Sequence, residues 1–338
     1  MIIRRIGRWL ARIAAIIAVL FAGLWGALAI WFGLHPASPW HEILTGGFAL
    51  LALAAAVCLA LQRWRVVALF AVLFVVVLGS WASLRPSNDR AWAPDVAKTA
   101  AGTVEGNRLV IKNVRNFVWR SDSDFDARWE TRSFDLNQLQ GADLIMSYWS
   151  GETIAHTILS FGFSDGQHLA FSIEVRREKS QPWSALAGFF SAYELAFVAA
   201  DERDVLGVRT NVRGEDVRIY RLRMKPAQAR SLLIEYVNEA NDLAREPRFY
   251  NSLTANCSTQ IYSMVRTLRK DVPWDYRIVL DGHLPDYIYE LGGLDTAVPF
   301  ANLRESSHIQ GKASSLDPDF SQKIREGIPV FSAQGQQN

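Results

Sequence analysis

The sequence predicts an α+β domain, with an antiparallel sheet and its helices gathered late in the chain, carried behind a three-helix transmembrane anchor. Three observations predict it. The apolar residues of the 338-residue chain crowd into its first quarter. Short runs of β character then follow one another from about residue 108 to residue 224, and the two clearest helical stripes come after them, one opened by Pro226 and one starting at Cys257. The expected division is 1–84 for the membrane helices, 85–105 for a linker, 106–300 for one domain and 301–338 for an irregular tail.

Ile13–Phe32 is a run of twenty residues without a charge, enough at about 1.5 Å per residue to cross a hydrocarbon core of about 30 Å. Ile43–Leu61 and Val66–Leu84 are two further runs near that length. Cytoplasmic loops retain Arg and Lys. Arg4, Arg5, Arg8 and Arg12 precede the first run, the loop Leu34–Glu42 has neither residue type, and Arg63 and Arg65 separate the second and third. The expected topology therefore has a cytoplasmic N-terminus, three crossings, and everything after about Arg85 on the outer face. The first run is too long, and followed by too many others, for a cleaved signal peptide. Residues 1–83 hold six of the 36 basic residues and one of the 34 acids, which leaves 30 basic against 33 acidic, about −3, for the remainder. The net charge of +2 thus comes from topology, and no basic patch points to nucleic acid.

Arg85–Glu105, rich in Pro, Ser, Asn, Asp and Ala, reads as a linker or a strap along the domain surface. Strands are expected at Arg108–Lys112, Phe117–Arg120, Arg128–Phe134, Asp143–Trp149, Thr153–Phe163, Gln167–Arg176, Glu194–Ala199, Val205–Thr210 and Val217–Met224. Pro226 opens a helix that carries Ala229, Leu232, Leu233, Tyr236, Val237, Ala240 and Leu243 on one stripe and ends near Pro247. The tail after Leu303 is turn-rich, and its final Gln-Gly-Gln-Gln-Asn is expected to be mobile.

Cys257 is the single thiol beyond the hydrophobic third, since Cys58 lies inside the second apolar run. Ile261, Met264, Val265 and Leu268 follow it at helical spacing, and Thr254 and Asn256 before it are residue types that cap helix N-termini. A cysteine in the first turn faces unpaired N–H groups and the helix dipole, which favour the nucleophilic thiolate. The alternative is a small buried hydrophobe.

A base is found in the hairpin formed by Thr153–Val175. A three-residue loop Ser164-Asp165-Gly166, with glycine in the left-handed position, pairs Phe163 with Gln167. That register sets Phe161 against Leu169, Leu159 against Phe171 and Thr157 against Ile173 on a core-facing side. On the other side it sets His156 against Glu174. A carboxylate facing a histidine fixes its tautomer and stabilises the imidazolium, as a general base serving a nucleophile requires. The plainer reading is a surface His–Glu pair. The run Asp201, Glu202, Arg203 and Asp204 reads as a solvated turn with local ion pairs, or, with Arg209, as a place where Arg203 or Arg209 meets an anionic substrate group.

The order His on a strand, acid on the next strand, then Cys at a helix start resembles the circularly permuted papain-like thiol enzymes, relatives of the NlpC/P60 peptidases and of lecithin–retinol acyltransferase. More closely, Ala155-His-Thr-Ile-Leu-Ser-Phe161 and Thr254-Ala-Asn-Cys-Ser-Thr259 look like the His and Asn-Cys-Thr motifs of the bacterial family typified by the periplasmic domain of Lnb, a lipoprotein N-acyltransferase. The resemblance covers roughly residues 105–300. Ala155 stands where the family motif has glycine, and Ser258 where it has threonine. The resemblance implies Cys257 as nucleophile, His156 as base and Glu174 as the third member. Anchoring within about twenty residues of the bilayer keeps the domain near lipid or lipoprotein, which favours acyl transfer through a thioester on Cys257, with no cofactor expected.

A peptidase of the cell wall using the same Cys–His pair, and a non-catalytic envelope binding or assembly module, are the rival readings. Zinc held by His156, Cys257 and Glu174 is the weaker expectation, because no ligand pair of the usual local spacing exists.

Overall fold

The computed structural model describes residues 2–34 and 38–329, so the expected mobile Gln-Gly-Gln-Gln-Asn lies outside the described residues. The chain divides into two compact units. The first joins the N-terminal residues up to Ser87 with Gln181–Tyr193 and Phe249–Ser252. Its frame is α1 (Ile2–Gly33), α2 (His41–Ala60) and α3 (Trp64–Ala82). All three are long and apolar enough to cross a membrane, which makes this a membrane protein.

Small residues let α1 and α2 approach. A Cβ on Gly23 would sit 2.3 Å from that of Ala52, and one on Gly26 would sit 2.4 Å from the Phe48 ring. Leu24, Leu50, Leu53, Val75 and Val76 point outward, an apolar surface that water would not tolerate over this extent.

The second unit holds a sheet of β1 (Ala101–Glu105), β2 (Arg108–Arg115), β5 (Trp129–Asp135), β6 (Leu139–Tyr148), β7 (Ala155–Phe163), β8 (His168–Arg176), β9 (Glu194–Ala200) and β10 (Asp216–Arg221). The strand order is β1-β2-β9-β8-β7-β6-β10, with β5 also on β2. One pair, β2 with β9, is parallel at Arg115 and Ala200. The sheet is therefore mixed and not purely antiparallel, because the chain crosses back from β8 to lie beside β2. β3 (Val118–Trp119) and β4 (Phe125–Asp126) form a separate two-stranded ribbon.

Side chains alternate across the pleat and give the sheet two covered faces. On one, Phe161, Phe171 and Phe197 surround Tyr236 of α5 (Pro226–Arg245), with ring centroids 5.8, 5.1 and 6.1 Å away. The seven residues of the expected α5 stripe are all buried there. α6 (Cys257–Leu268) and α7 (Leu284–Glu290) complete this layer. On the other face Ile145, Ile158, Ala170 and Val198 are covered by Val205, Leu206, Ile309, Phe320 and Ile324.

The hairpin closes in the expected register. Phe163 N–H donates to Gln167 O at 3.0 Å, Gly166 has φ +86°, and Leu159 pairs with Phe171.

Several expectations are corrected. Val205–Thr210 is no strand: α4 (Glu202–Val205) leads into a π-helical turn, Val208–Val212, in which the Arg209 Nη1 hydrogen-bonds Val205 O at 3.0 Å. The linker region contributes β1 to the sheet, since its run Ala101–Glu105 pairs with β2 in full. The tail is core for much of its length. Besides α8 (Phe300–Ser306) and α9 (Phe320–Lys323), it sends Arg325 inward to Glu202 at 2.5 Å and Asp143 at 2.8 Å. That ion pair, with Asp204 on Arg115 at 3.0 Å, makes the acidic run 201–204 buried and not solvated.

Candidate active site

Cys257 is the first residue of α6. The Asn256 side chain accepts from Thr259 N–H at 2.9 Å while Thr259 Oγ1 accepts from Asn256 N–H at 2.9 Å, a reciprocal capping box that fixes where the helix begins. The sulfur lies where the sheet opens. Pairing of β7 with β8 stops at Ile158 and Ser172, and beyond that point the Thr157 N–H faces Cys257 Sγ while Ala155 N–H donates to Asp281 Oδ1 at 2.9 Å. Asp281 Oδ2 in turn accepts from Cys257 Sγ at 3.5 Å and from Ser258 Oγ at 3.2 Å.

The turn that brings Asp281 here is clamped on the start of β7. Gly282 N–H donates to Thr153 O at 3.0 Å, and Tyr148 Oη–H donates to Gly282 O at 2.9 Å. A Cβ on Gly282 would fall 2.1 Å from Glu152 O, so glycine is what permits the approach.

Burial opposes the thiolate expected at this helix start. Burial pushes the Cys257 thiol far above the ordinary range, and the Asp281 carboxylate adds to it. The N–H groups of Thr157 and Ser258 act in the opposite direction and are outweighed. A helix start favours a thiolate when it is wet; here the residue is 6 % exposed. Burial also raises the Asp281 carboxyl, against the pull of Ala155 N–H.

His156 sits one residue before Thr157, with its ring on the opposite pleat. Its Nε2 is 2.7 Å from Ser172 Oγ and 3.3 Å from Glu174 Oε1, and Ser172 Oγ–H donates to the same carboxylate oxygen at 2.6 Å. Arg209 Nη2 completes the shell of Glu174 at 3.1 Å. Burial would push the Glu174 carboxyl up, but His156, Arg209 and Ser172 together hold it well below the usual range. It is a carboxylate.

The structure thus brings His156 and Glu174 together and places Cys257 beside the same strand end. Among the described residues no hydrogen bond joins His156 to Cys257, and none engages His156 Nδ1. Two participants, Asp281 and Ser172, were missed by sequence reasoning, and a third, Arg209, was given another role. Asp281 gives no signal, because it reaches the thiol only through the tertiary clamp at Gly282. Ser172 was visible as a polar residue two positions before Glu174 on one strand face. Arg209 was considered for an anionic substrate, but it is spent on Glu174. No group of three His, Cys, Asp or Glu side chains among the described residues is arranged to hold a metal.

A cavity of about 350 Å³ runs along α6. Ser258, Ile261, Tyr262, Val265 and Leu268 form one wall, with Leu144 and Leu159 from the sheet, Leu232 from α5 and Leu284 and Tyr287 opposite; Arg223 and Arg269 are its charged lining residues. The size lies in the range of about 300–1,000 Å³ of small-molecule sites. The wall residue Ser258 follows the nucleophile candidate and shares Asp281 with it.

Residues 125–282 match the family model of the Lnb N-terminal periplasmic domain. The match includes His156, Glu174, Cys257, Asp281 and Gly282 and excludes the membrane helices. No curated protein and no solved structure is detectably similar to the chain.

Proposed function

We propose that the chain is a cysteine-dependent acyltransferase or hydrolase of the bacterial inner membrane, its N-terminus cytoplasmic and its catalytic domain periplasmic, acting on lipid or lipoprotein acyl groups. The observation that carries this reading is the apolar cavity, whose wall along the Cys257 helix suits an alkyl chain. Each methylene buried there contributes about 0.8 kcal/mol. The match to the Lnb domain over the segment holding the Cys and His motifs supports the same reaction class. The relation to permuted papain-like enzymes rests on element order, with His on β7, acid on β8 and Cys opening α6.

In the proposed reaction Cys257 Sγ attacks an ester carbonyl while its proton passes to the unengaged Nδ1 of His156. The N–H groups of Thr157 and Ser258, which face the sulfur, would meet the developing oxyanion. Collapse breaks the C–O bond, and the imidazolium protonates the leaving alcohol. An amine or water, deprotonated by His156, then attacks the thioester and expels Cys257, which recovers the proton. Glu174, held ionised by Arg209, stabilises the imidazolium.

The full-length protein, reconstituted with phospholipid, should show by intact mass an acyl adduct on Cys257 that hydroxylamine removes. Cys257→Ser should fold and not turn over, and His156→Ala should be slower by about 10²–10⁴-fold. Wild type that forms no adduct and complements a deletion no better than these variants would overturn the proposal. It would leave the envelope binding module, a reading favoured by the deeply buried thiol. Adduct-free release of peptides from peptidoglycan would instead indicate the peptidase.

A further inference from the structure

We infer that the segment Gln181–Tyr193, which leaves the sheet after β8 and returns at β9, is a membrane-embedded element whose partner is the interfacial layer of the lipid bilayer. The thirteen residues Gln-Pro-Trp-Ser-Ala-Leu-Ala-Gly-Phe-Phe-Ser-Ala-Tyr carry no charge, although Arg176, Arg177, Glu178 and Lys179 precede them directly. They belong to the compact unit of the membrane helices and not to the sheet unit on either side of them in sequence.

Phe190 sets their depth. Its ring stacks on Phe32 at 5.5 Å and lies 6.1 Å from Trp25, and its carbonyl accepts from Trp81 Nε1–H at 3.2 Å. Phe32 is one residue from the end of α1 and Trp81 one residue from the end of α3, while Trp25 lies seven residues, about 10 Å, deeper. Phe190 therefore enters at the level where both helices reach the boundary of the hydrocarbon. Trp183, Leu186 and Phe189, on the same short turn, are 55, 56 and 39 % exposed. Aromatic and large aliphatic side chains at that level are what an interfacial anchor presents to lipid.

The backbone is prepared for that setting, where unpaired N–H groups are costly. Ala187, Phe189 and Phe190 donate to Ser184, Leu186 and Ala187 carbonyls at 3.2, 3.1 and 3.0 Å, and Ser184 N–H donates to Tyr193 Oη at 2.7 Å. Gly188 lets the turn lie against Ser252 and Tyr250, since a Cβ there would fall 2.3 Å from Ser252 Oγ.

The test uses the full chain in phosphatidylcholine/phosphatidylglycerol nanodiscs containing a phospholipid with an acyl-chain diazirine. After irradiation and proteolysis, lipid adducts should map to 183–190 as well as to α1–α3. Trp183→Ser, Leu186→Ser and Phe189→Ser together should remove most adducts from the segment while leaving those on the helices. If that variant does not fold, a nitroxide on Leu186→Cys in a Cys58→Ala, Cys257→Ser background should be relaxed more strongly by oxygen than by a water-soluble nickel chelate. Adducts confined to the three helices, or a nitroxide relaxed chiefly by the chelate, would overturn the inference.

Discussion

Both faces of the sheet are covered by apolar residues, but only one of them buries ion pairs within its core. The face under α4, the π-turn and the C-terminal segment holds charges: Glu202 and Asp143 on Arg325, and Glu174 on Arg209. Burial raises the Glu202 carboxyl, yet Arg325 holds it well below its usual range. The face under α5–α7 is largely aromatic and aliphatic and leaves a cavity open. Paired charges demand fixed geometry, so the first face locks the strands that carry His156 and Glu174. An apolar layer imposes no pairing geometry of that kind, and the second keeps room for a guest along the Cys257 helix. The two sides meet where β7 and β8 part.

The largest effect expected from this contrast is on stability. Arg325→Met strands Glu202 and Asp143 as uncompensated buried acids and should cost about 3–5 kcal/mol. Ile261→Ala, on the cavity wall, should cost less, near the lower end of the roughly 2–5 kcal/mol of buried aliphatic truncations, because it enlarges a void already present. Thermal melts of the full chain in detergent, followed by near-ultraviolet circular dichroism, compare the two. Equal losses would end the distinction between the faces.

A smaller effect concerns the thiol. Asp281→Asn keeps an oxygen for Ala155 N–H but removes the charge that helps keep Cys257 protonated. Alkylation of Cys257 by iodoacetamide at neutral pH should therefore speed up, by about threefold for each unit the thiol pKa falls, since the gain in thiolate is partly offset by its lower nucleophilicity. A slower reaction in the variant would mean that Asp281 itself draws off the proton, and the base would have to be reassigned from His156.

What the sequence made legible follows the range of the interactions involved. The membrane helices were readable because hydrocarbon thickness acts on one continuous run. The α5 stripe and the β7–β8 register were readable because period and turn chemistry are local. Arg325 lies over a hundred residues from Glu202, so nothing near the acidic run announced that it is buried. Val205–Thr210 looked like a strand from its valines, but Arg209 bonds the carbonyl of Val205 and the carboxylate of Glu174 from a π-turn. The position of Cys257 at a helix start was legible; its burial was not, because that depends on what α6 packs against.

The smallest effect is in the acid limb of stability. Glu174 has a folded pKa below its unfolded value, so its contribution is complete above the unfolded value of about 4.3 and is lost as pH falls through the folded one. Glu174→Gln lacks that contribution at every pH. The difference in stability between wild type and variant should thus stay level from pH 7 to about pH 5 and narrow below about 4.3. Melts across that range read it directly. A difference that persists undiminished into strong acid would mean that Glu174 acts through packing and hydrogen bonds, without the charge that the proposed imidazolium needs.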